Sequence, residues 1–298
     1  MSETFRCSDQ SVALAEPLAG TAGVANRYLV IEQGGPWGRD ALNNGDLDHH
    51  LANQIARLAA QHDVKVLMIR RPGRHTEHGH RNGRAVYAAC INSGSVALLA
   101  VVDPIEILEI NWAAYARDDP SGVYPRSQLI TDPVVLVCAH SKRDLCCAVK
   151  GRPLARQLRE KHGNHVWECS HLGGHRFAAT ALILPSGATY GRLNRGNVEA
   201  VYQAAVSGTE IPQLLRGMSA LAKPAQAADV ALRTRTGRAT SFIDILSVGD
   251  VYKVRFGDES QIWTVTVRQD LQSPPRAQSC GKDPVLSSAY FCTDITAA

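Results

Sequence analysis

Short apolar runs and helical periods follow one another along the first two thirds of the chain in an order that occurs twice. Residues 27–32 read as a buried strand, the turn-rich Gly34–Gly38 follows, and a polar–apolar helical period runs from about Asp46 to Gln61. Val64–Ile69 is a second strand, and Arg84–Ile91 and Ser95–Val102 flank the turn residues Asn92–Gly94 as a hairpin. After Asp118–Gly122 the order returns. A strand spans Pro133–Val137, a helix runs from Ser141 to about His162, a strand spans His165–Cys169, and a hairpin of Phe177–Leu184 and Ala188–Arg192 turns at Pro185–Gly187.

The two passages also correspond residue by residue. Gly34–Asp40 aligns with Cys138–Asp144, both ending in Arg-Asp; Arg70–Arg74 aligns with His171–His175; the turns Ser93-Gly94 and Ser186-Gly187 match. We read a degenerate internal duplication. Gly34 stands where the second copy has Cys138, Asn43 where it has Cys147, Arg70 where it has His171 and Arg74 where it has His175.

Beyond Arg192 the pattern changes. Asn197–Val206, Ile211–Leu221 and Ala225–Leu232 are helical in period, Ser241–Thr266 reads as short strands, and the Pro274-Pro275 region and the chain end read as loop. The expected organisation is an N-terminal segment (1–25), a first unit (26–118), a second unit (119–194) and a C-terminal helical and short-strand module (195–298), an α/β chain with a small α+β tail.

The 298 residues are 45% hydrophobic, enough for one large core or two ordinary ones. No apolar run is long enough to cross a bilayer and the N-terminus lacks a targeting pattern, so a soluble, cytoplasmic protein with no membrane partner is expected. A net charge of +4 is dispersed over single Lys and Arg residues, which argues against nucleic acid. Arg70 and Arg74 are candidates for binding an anion or a partner's carboxylates, or for a surface ion pair. His75, His78 and His80 read as a solvated loop.

Eight cysteines in so large a chain point to metal or redox chemistry rather than a disulfide framework, because Cys138, Cys146, Cys147 and Cys169 crowd together. Cys7, Cys90, Cys280 and Cys292 are scattered and read as incidental thiols. Ser141–Asp144 has the form of a capping box, which puts Cys138 just ahead of a helix and Cys146 and Cys147 in its opening turns. A helix N-terminus lowers thiol pKa. Successive helical side chains diverge by about 100°, so only one of Cys146 and Cys147 faces a shared metal. His171 and His175 bracket Gly173 and Gly174, a loop able to turn both rings toward one ion. The donor set admits a structural zinc site or an iron–sulfur cluster; a thiol redox protein is a further alternative, although no Cys-x-x-Cys is present.

Cysteine, eight intervening residues, cysteine, then a His-x-Gly-Gly-His loop resembles the sucrase/ferredoxin-like family, as do Arg143-Asp144, Gly174–Ala178 and Tyr190–Arg192. The likeness is close over Pro133–Leu193, extends to Arg27–Val102 and stops after Asn194. It implies tandem thioredoxin-like units, the first without ligands and the second carrying a 2Fe-2S cluster on Cys138, Cys147, His171 and His175. It selects Cys147 over Cys146, and Cys169 is expected to lie near the cluster while pointing away. The expected role is one-electron transfer between a reductase and an acceptor rather than catalysis. Two neutral imidazoles in place of thiolates favour the reduced state and raise the potential. The chain shows no paired-carboxylate glycosidase site, so sugar hydrolysis is not expected.

Overall fold

The computed structural model describes residues 6–73 and 83–297. Arg74 and the loop bearing His75, His78 and His80 lie outside the described residues. In chain order come α1 (Cys7–Ala13), β1 (Arg27–Glu32), α2 (His49–Gln61), β2 (Lys65–Arg70), β3 (Arg84–Cys90), β4 (Ser95–Val101), α3 (Trp112–Ala116) and β5 (Ser127–Leu129). Then follow β6 (Val134–Cys138), α4 (Leu145–His162), β7 (Val166–Cys169), β8 (Ala181–Leu184), β9 (Ala188–Tyr190), α5 (Val198–Val206), β10 (Leu215–Met218) and α6 (Lys223–Thr236). An antiparallel sheet of β11 (Ser241–Val248), β12 (Val251–Gly257), β13 (Ile262–Ala277) and β14 (Pro284–Ala297) ends the chain.

The first ten strands form one mixed sheet in the order β10-β9-β8-β6-β7-β2-β1-β3-β4-β5. Each half has the same construction. Its first strand pairs in parallel with the second and antiparallel with the third, and the fourth and fifth extend the edge antiparallel. The halves meet edge to edge through β2 and β7, where Ile69 opposes Cys169 and Arg70 opposes Glu168. Central strands apolar on both faces are what two covered faces require. Leu29 and Ile31 pack into a core with Ala52 and Ile55 of α2, and Val135 and Val137 into another with Leu154 and Leu158 of α4. The alternate residues Tyr28, Val30, Val134 and Leu136 enter a third core shared by both halves, which makes them one body.

Several expectations change. The boundaries at 118 and 194 fall inside this sheet, because β5 pairs with β4 and β10 with β9. Ile211–Leu221, helical by period, is a short 3-10 turn followed by β10: the open edge of β9 captures Leu215–Met218 through a register shift, overriding the local pattern. The tail strands are long rather than short. Pro274 and Pro275 lie within β13 rather than in a loop, where the ladder skips from Gln272 to Arg276, so their missing N–H groups cost no ladder bond.

Arg70 is not a surface group. It is 4% exposed, its Nε donates to Glu168 Oε2 at 2.9 Å, and its guanidinium lies 4.2 Å from the centre of the Trp37 ring. It therefore fastens the two halves rather than offering itself to a ligand. His140 crosses the same joint, its Nε2–H donating to the Gly38 carbonyl at 2.7 Å. Removing one partner of a buried ion pair strands the other. Arg70→Ala is expected to destabilise the protein by about 3 kcal/mol in urea unfolding; a loss under about 1 kcal/mol would show that the joint does not depend on the pair.

Candidate metal centre

The helix that carries the cysteines starts at Leu145 rather than near Ser141. Asp144 is its cap: Oδ1 accepts the Cys146 N–H at 2.8 Å, while Oδ2 accepts the Cys280 N–H at 2.8 Å and the Ser279 hydroxyl at 3.1 Å. The expected Ser141 box is replaced by a turn, because the inward carboxylate serves both the helix and a loop from the far end of the chain. Cys146 and Cys147 thus occupy the first turn, where their side chains diverge by about 100°.

Cys147 turns toward Cys138 at the end of β6. The approach of α4 to that strand needs Gly151, since a Cβ there would meet the Cys138 carbonyl oxygen at 2.1 Å. The sulfurs of Cys138 and Cys147 and a ring nitrogen of His171 lie within 4.8 Å of one another. The His175 ring stands 5.0 Å from that of His171, inclined by 31°. The sulfurs are buried, while the His175 side chain is 17% exposed, so the imidazoles form the outer edge of the site. The Nδ1 atoms of His171 and His175 are both buried with no hydrogen-bond partner among the described residues. Buried polar nitrogens normally have a partner, and a metal is one. Two soft thiols and two imidazoles suit zinc or iron–sulfur chemistry.

The electrostatics favour anionic sulfur. A hydrogen bond from Cys147 holds Cys138 well below the ordinary thiol range, assisted by His171 and the Leu172 amide and opposed by burial. The same sulfur neighbour pushes Cys147 up, so the pair loses its first proton readily and its second with difficulty. Burial lowers the pKa of His175, against the pull of Asp144, whose Oδ2 is 3.9 Å from Nε2. Beneath the loop lies Arg216, 1% exposed, its Nη1 donating to the Gly173 carbonyl at 2.9 Å and its Nε to Thr21 Oγ1 at 3.1 Å. Burial and Arg176 push Arg216 down to about 10, opposed by the charges of Cys138 and Cys147, so a cation sits within the field of the sulfurs.

Cys169 does not point away from the site as expected. It is the cross-strand neighbour of Cys138 in a parallel pair and enters the same core, yet its sulfur is outside the group of three donor atoms. Cys146 joins a different group, with Cys7, Cys280 and Asp144, whose donor atoms also lie within 4.8 Å of one another. Cys7 and Cys280, read in the sequence as incidental thiols, are therefore partners across the fold. No local pattern announced them; only their number in excess of the crowded four was a signal. Beside His171 an open groove of about 440 Å³ runs between the halves, lined by Arg39 and Asp40 from the first and His140 and Arg143 from the second.

Two glycines separate backbone strain from contact. Both have left-handed backbone, Gly173 at φ +81° and Gly174 at φ +65°; a Cβ on Gly173 meets nothing within 4 Å, whereas one on Gly174 meets Arg216 Nη2 at 2.2 Å. Gly173→Ala is expected to cost about 1–2 kcal/mol in unfolding experiments. Gly174→Ala should cost more and reduce the metal content of the purified protein, and equal effects would remove Arg216 as the support of the loop.

Among the described residues no helix is long and apolar enough to cross a membrane. Altered inheritance of mitochondria protein 32 of Meyerozyma guilliermondii is 30% identical over 112 residues, 34% of this chain and 40% of that protein. The protein of the same name from Candida glabrata is 27% identical over 122 residues, 36% of this chain and 38% of that protein. The chain thus spans about two fifths of the length of these curated relatives. No solved structure matches it. The sequence profile of the sucrase/ferredoxin-like family matches residues 18–217, which takes in both halves of the sheet and the cysteine–histidine site, and the chain belongs to that family.

Proposed function

We propose that this protein is a one-electron carrier holding a 2Fe-2S cluster on Cys138, Cys147, His171 and His175, in the second of two thioredoxin-like halves whose first has no ligands. The observation that carries this reading is the buried Cys138–Cys147 pair with a His171 ring nitrogen within 4.8 Å of both sulfurs and the His175 ring 5.0 Å from that of His171, the Nδ1 atoms of both rings being buried without a hydrogen-bond partner among the described residues. When bound, such a cluster supplies a single reversible electron. The chain's own residues supply the rest. The buried sulfurs exclude water, Arg216 offsets negative charge, and the histidine edge faces solvent, where an electron has the shortest path to a partner. The ligand-free half builds one wall of the groove beside His171, and Arg39 and Arg143 line it with positive charge. That charge suits an acidic redox partner. The cytoplasmic setting expected from the sequence is part of this proposal; the relatives' name refers to mitochondria.

A structural zinc ion on the same four side chains is the second reading, because the donor set also suits zinc. Protein purified without oxygen is expected to be brown, with iron and sulfide in equal amounts, and its visible spectrum should shift in His171→Cys and in His175→Cys. Colourless protein whose zinc is lost on changing Cys138 would make the site a structural clasp. Imidazole ligands link electron gain to proton gain, so the reduction potential is expected to fall as pH rises through the range in which the histidines lose a proton. A potential flat across neutral and alkaline pH would count against histidine ligation. Charge reversal of Arg39 and Arg143 together should slow oxidation of the reduced protein by anionic ferricyanide about tenfold or more at low salt and speed oxidation by cationic cobalt hexaammine. Equal effects on both oxidants would retire the groove as the route of approach.

A further inference from the structure

Three segments remote in sequence bring a second set of thiols together outside the site described above. Cys7 opens α1, Cys146 is in the first turn of α4, and Cys280 follows the end of β13. Their sulfurs stand 3.8 Å (Cys7 to Cys146), 3.4 Å (Cys146 to Cys280) and 3.6 Å (Cys280 to Cys7) apart. These separations are far beyond a disulfide bond of about 2.05 Å. They are close to the edge of about 3.8 Å that follows for a tetrahedron whose centre is about 2.3 Å from each sulfur. The carboxylate of Asp144 completes the group, its oxygens 3.9 and 3.7 Å from the Cys7 sulfur. Cys7, Cys146 and Asp144 are buried and Cys280 is half-buried. Three sulfurs on one carboxylate, largely removed from water, are a poor apolar core and a good cation site.

We propose that Cys7, Cys146, Cys280 and Asp144 bind one structural zinc ion, separate from the Cys138, Cys147, His171 and His175 site. Binding converts three thiols to thiolates, releases three protons to solvent and changes no oxidation state. The surroundings are already arranged for anionic ligands. Ser8 Oγ donates to the Cys146 sulfur at 3.3 Å. Asp144 is fixed by the Cys146 and Cys280 amides and the Ser279 hydroxyl, and the group sits at the N-terminal end of the 18-residue α4. The ion would tie together the N-terminal helix, the ligand-bearing helix and the C-terminal sheet. Neighbouring contacts run the same way: Lys150 Nζ meets Asp9 Oδ1 at 2.6 Å, and Gln10 Oε1 accepts the Ala277 N–H at 2.8 Å. The proposal does not depend on which metal the first site holds.

Metal analysis of the full chain, purified without oxygen or chelator from zinc-replete cells, tests it with zinc and iron measured on the same sample. One zinc per chain is expected that disappears in Cys7→Ser and in Cys280→Ser while iron, sulfide and the visible spectrum stay; Cys138→Ser should lose the iron and keep this zinc. Iron present without zinc overturns the second site and leaves the carrier reading intact. Zinc sensitive to Cys7→Ser in protein without iron supports the second site and overturns the carrier. Should the serine variants fail to fold, cobalt offered to the wild-type chain stripped of this zinc gives a readout that needs no variant. Thiolate-to-cobalt charge-transfer bands with intense tetrahedral d–d bands, displaced by zinc while the content of the first site stays unchanged, support the site. Absence of those bands, or a Cys7–Cys146 or Cys146–Cys280 disulfide in protein alkylated at harvest, overturns it.

Discussion

Two residues of β2 and two of β7 hold together a ten-stranded sheet. An antiparallel contact that short supplies few ladder bonds, and the structure reinforces it with chemistry rather than length. Arg70 and Glu168, opposed in register, form an ion pair of 2.9 Å in a space closed by the Trp37 ring. Ser170 extends the joint, its amide bonding the Met68 carbonyl at 2.8 Å and its hydroxyl accepting the Met68 N–H at 3.0 Å. Such a pair is costly to bury and costlier to break, which fixes register more than it adds stability. His171 follows immediately, so the register of this joint sets where the histidine loop begins. It also sets the groove beside that loop, which exists only because the first half is held against the second.

The first turn of α4 is the second determinant. One helical step separates Cys146 from Cys147, and that step divides the sulfurs of the chain between two groups. Cys147 meets Cys138 on the sheet, and Cys146 meets Cys7 and Cys280 from the two ends of the chain. Asp144 stands between them, capping the helix, fixing the Cys280 loop and lying 3.9 Å from His175 Nε2. A change at this carboxylate is therefore felt in both groups, and the C-terminal sheet is an integral wall of the site rather than an appendage.

Arg216 addresses the charge problem that buried thiolates create. Its guanidinium is enclosed, bonded to backbone and to Thr21, and within reach of the fields of Cys138 and Cys147. Anionic sulfur and a buried cation each reduce the cost of the other. Because Arg216 belongs to β10, the strand that the period of the sequence disguised as helix, the boundary correction near residue 194 matters to the chemistry: without β10 the histidine loop has no floor.

What the sequence determined by itself was local and repetitive. Strand runs such as Arg27–Glu32, the duplication of element order and the spacing of Cys138, Cys147, His171 and His175 are written in neighbouring residues, because strand pleat, helical period and turn conformation are set over a few positions. What only the tertiary structure decided involved residues far apart. Leu215–Met218 became a strand because an open sheet edge was there to pair with it. Arg70 became a buried fastener because Glu168 and Trp37 arrive from elsewhere in the chain. Asp144 displaced Ser141 as the cap because the Cys280 loop turns it inward. Cys7 and Cys280, separated by nearly the whole chain, share one group of sulfurs because α1 and the end of β13 both pack against the start of α4. No period or motif in a one-dimensional chain encodes that meeting, since it arises from the packing of the whole fold.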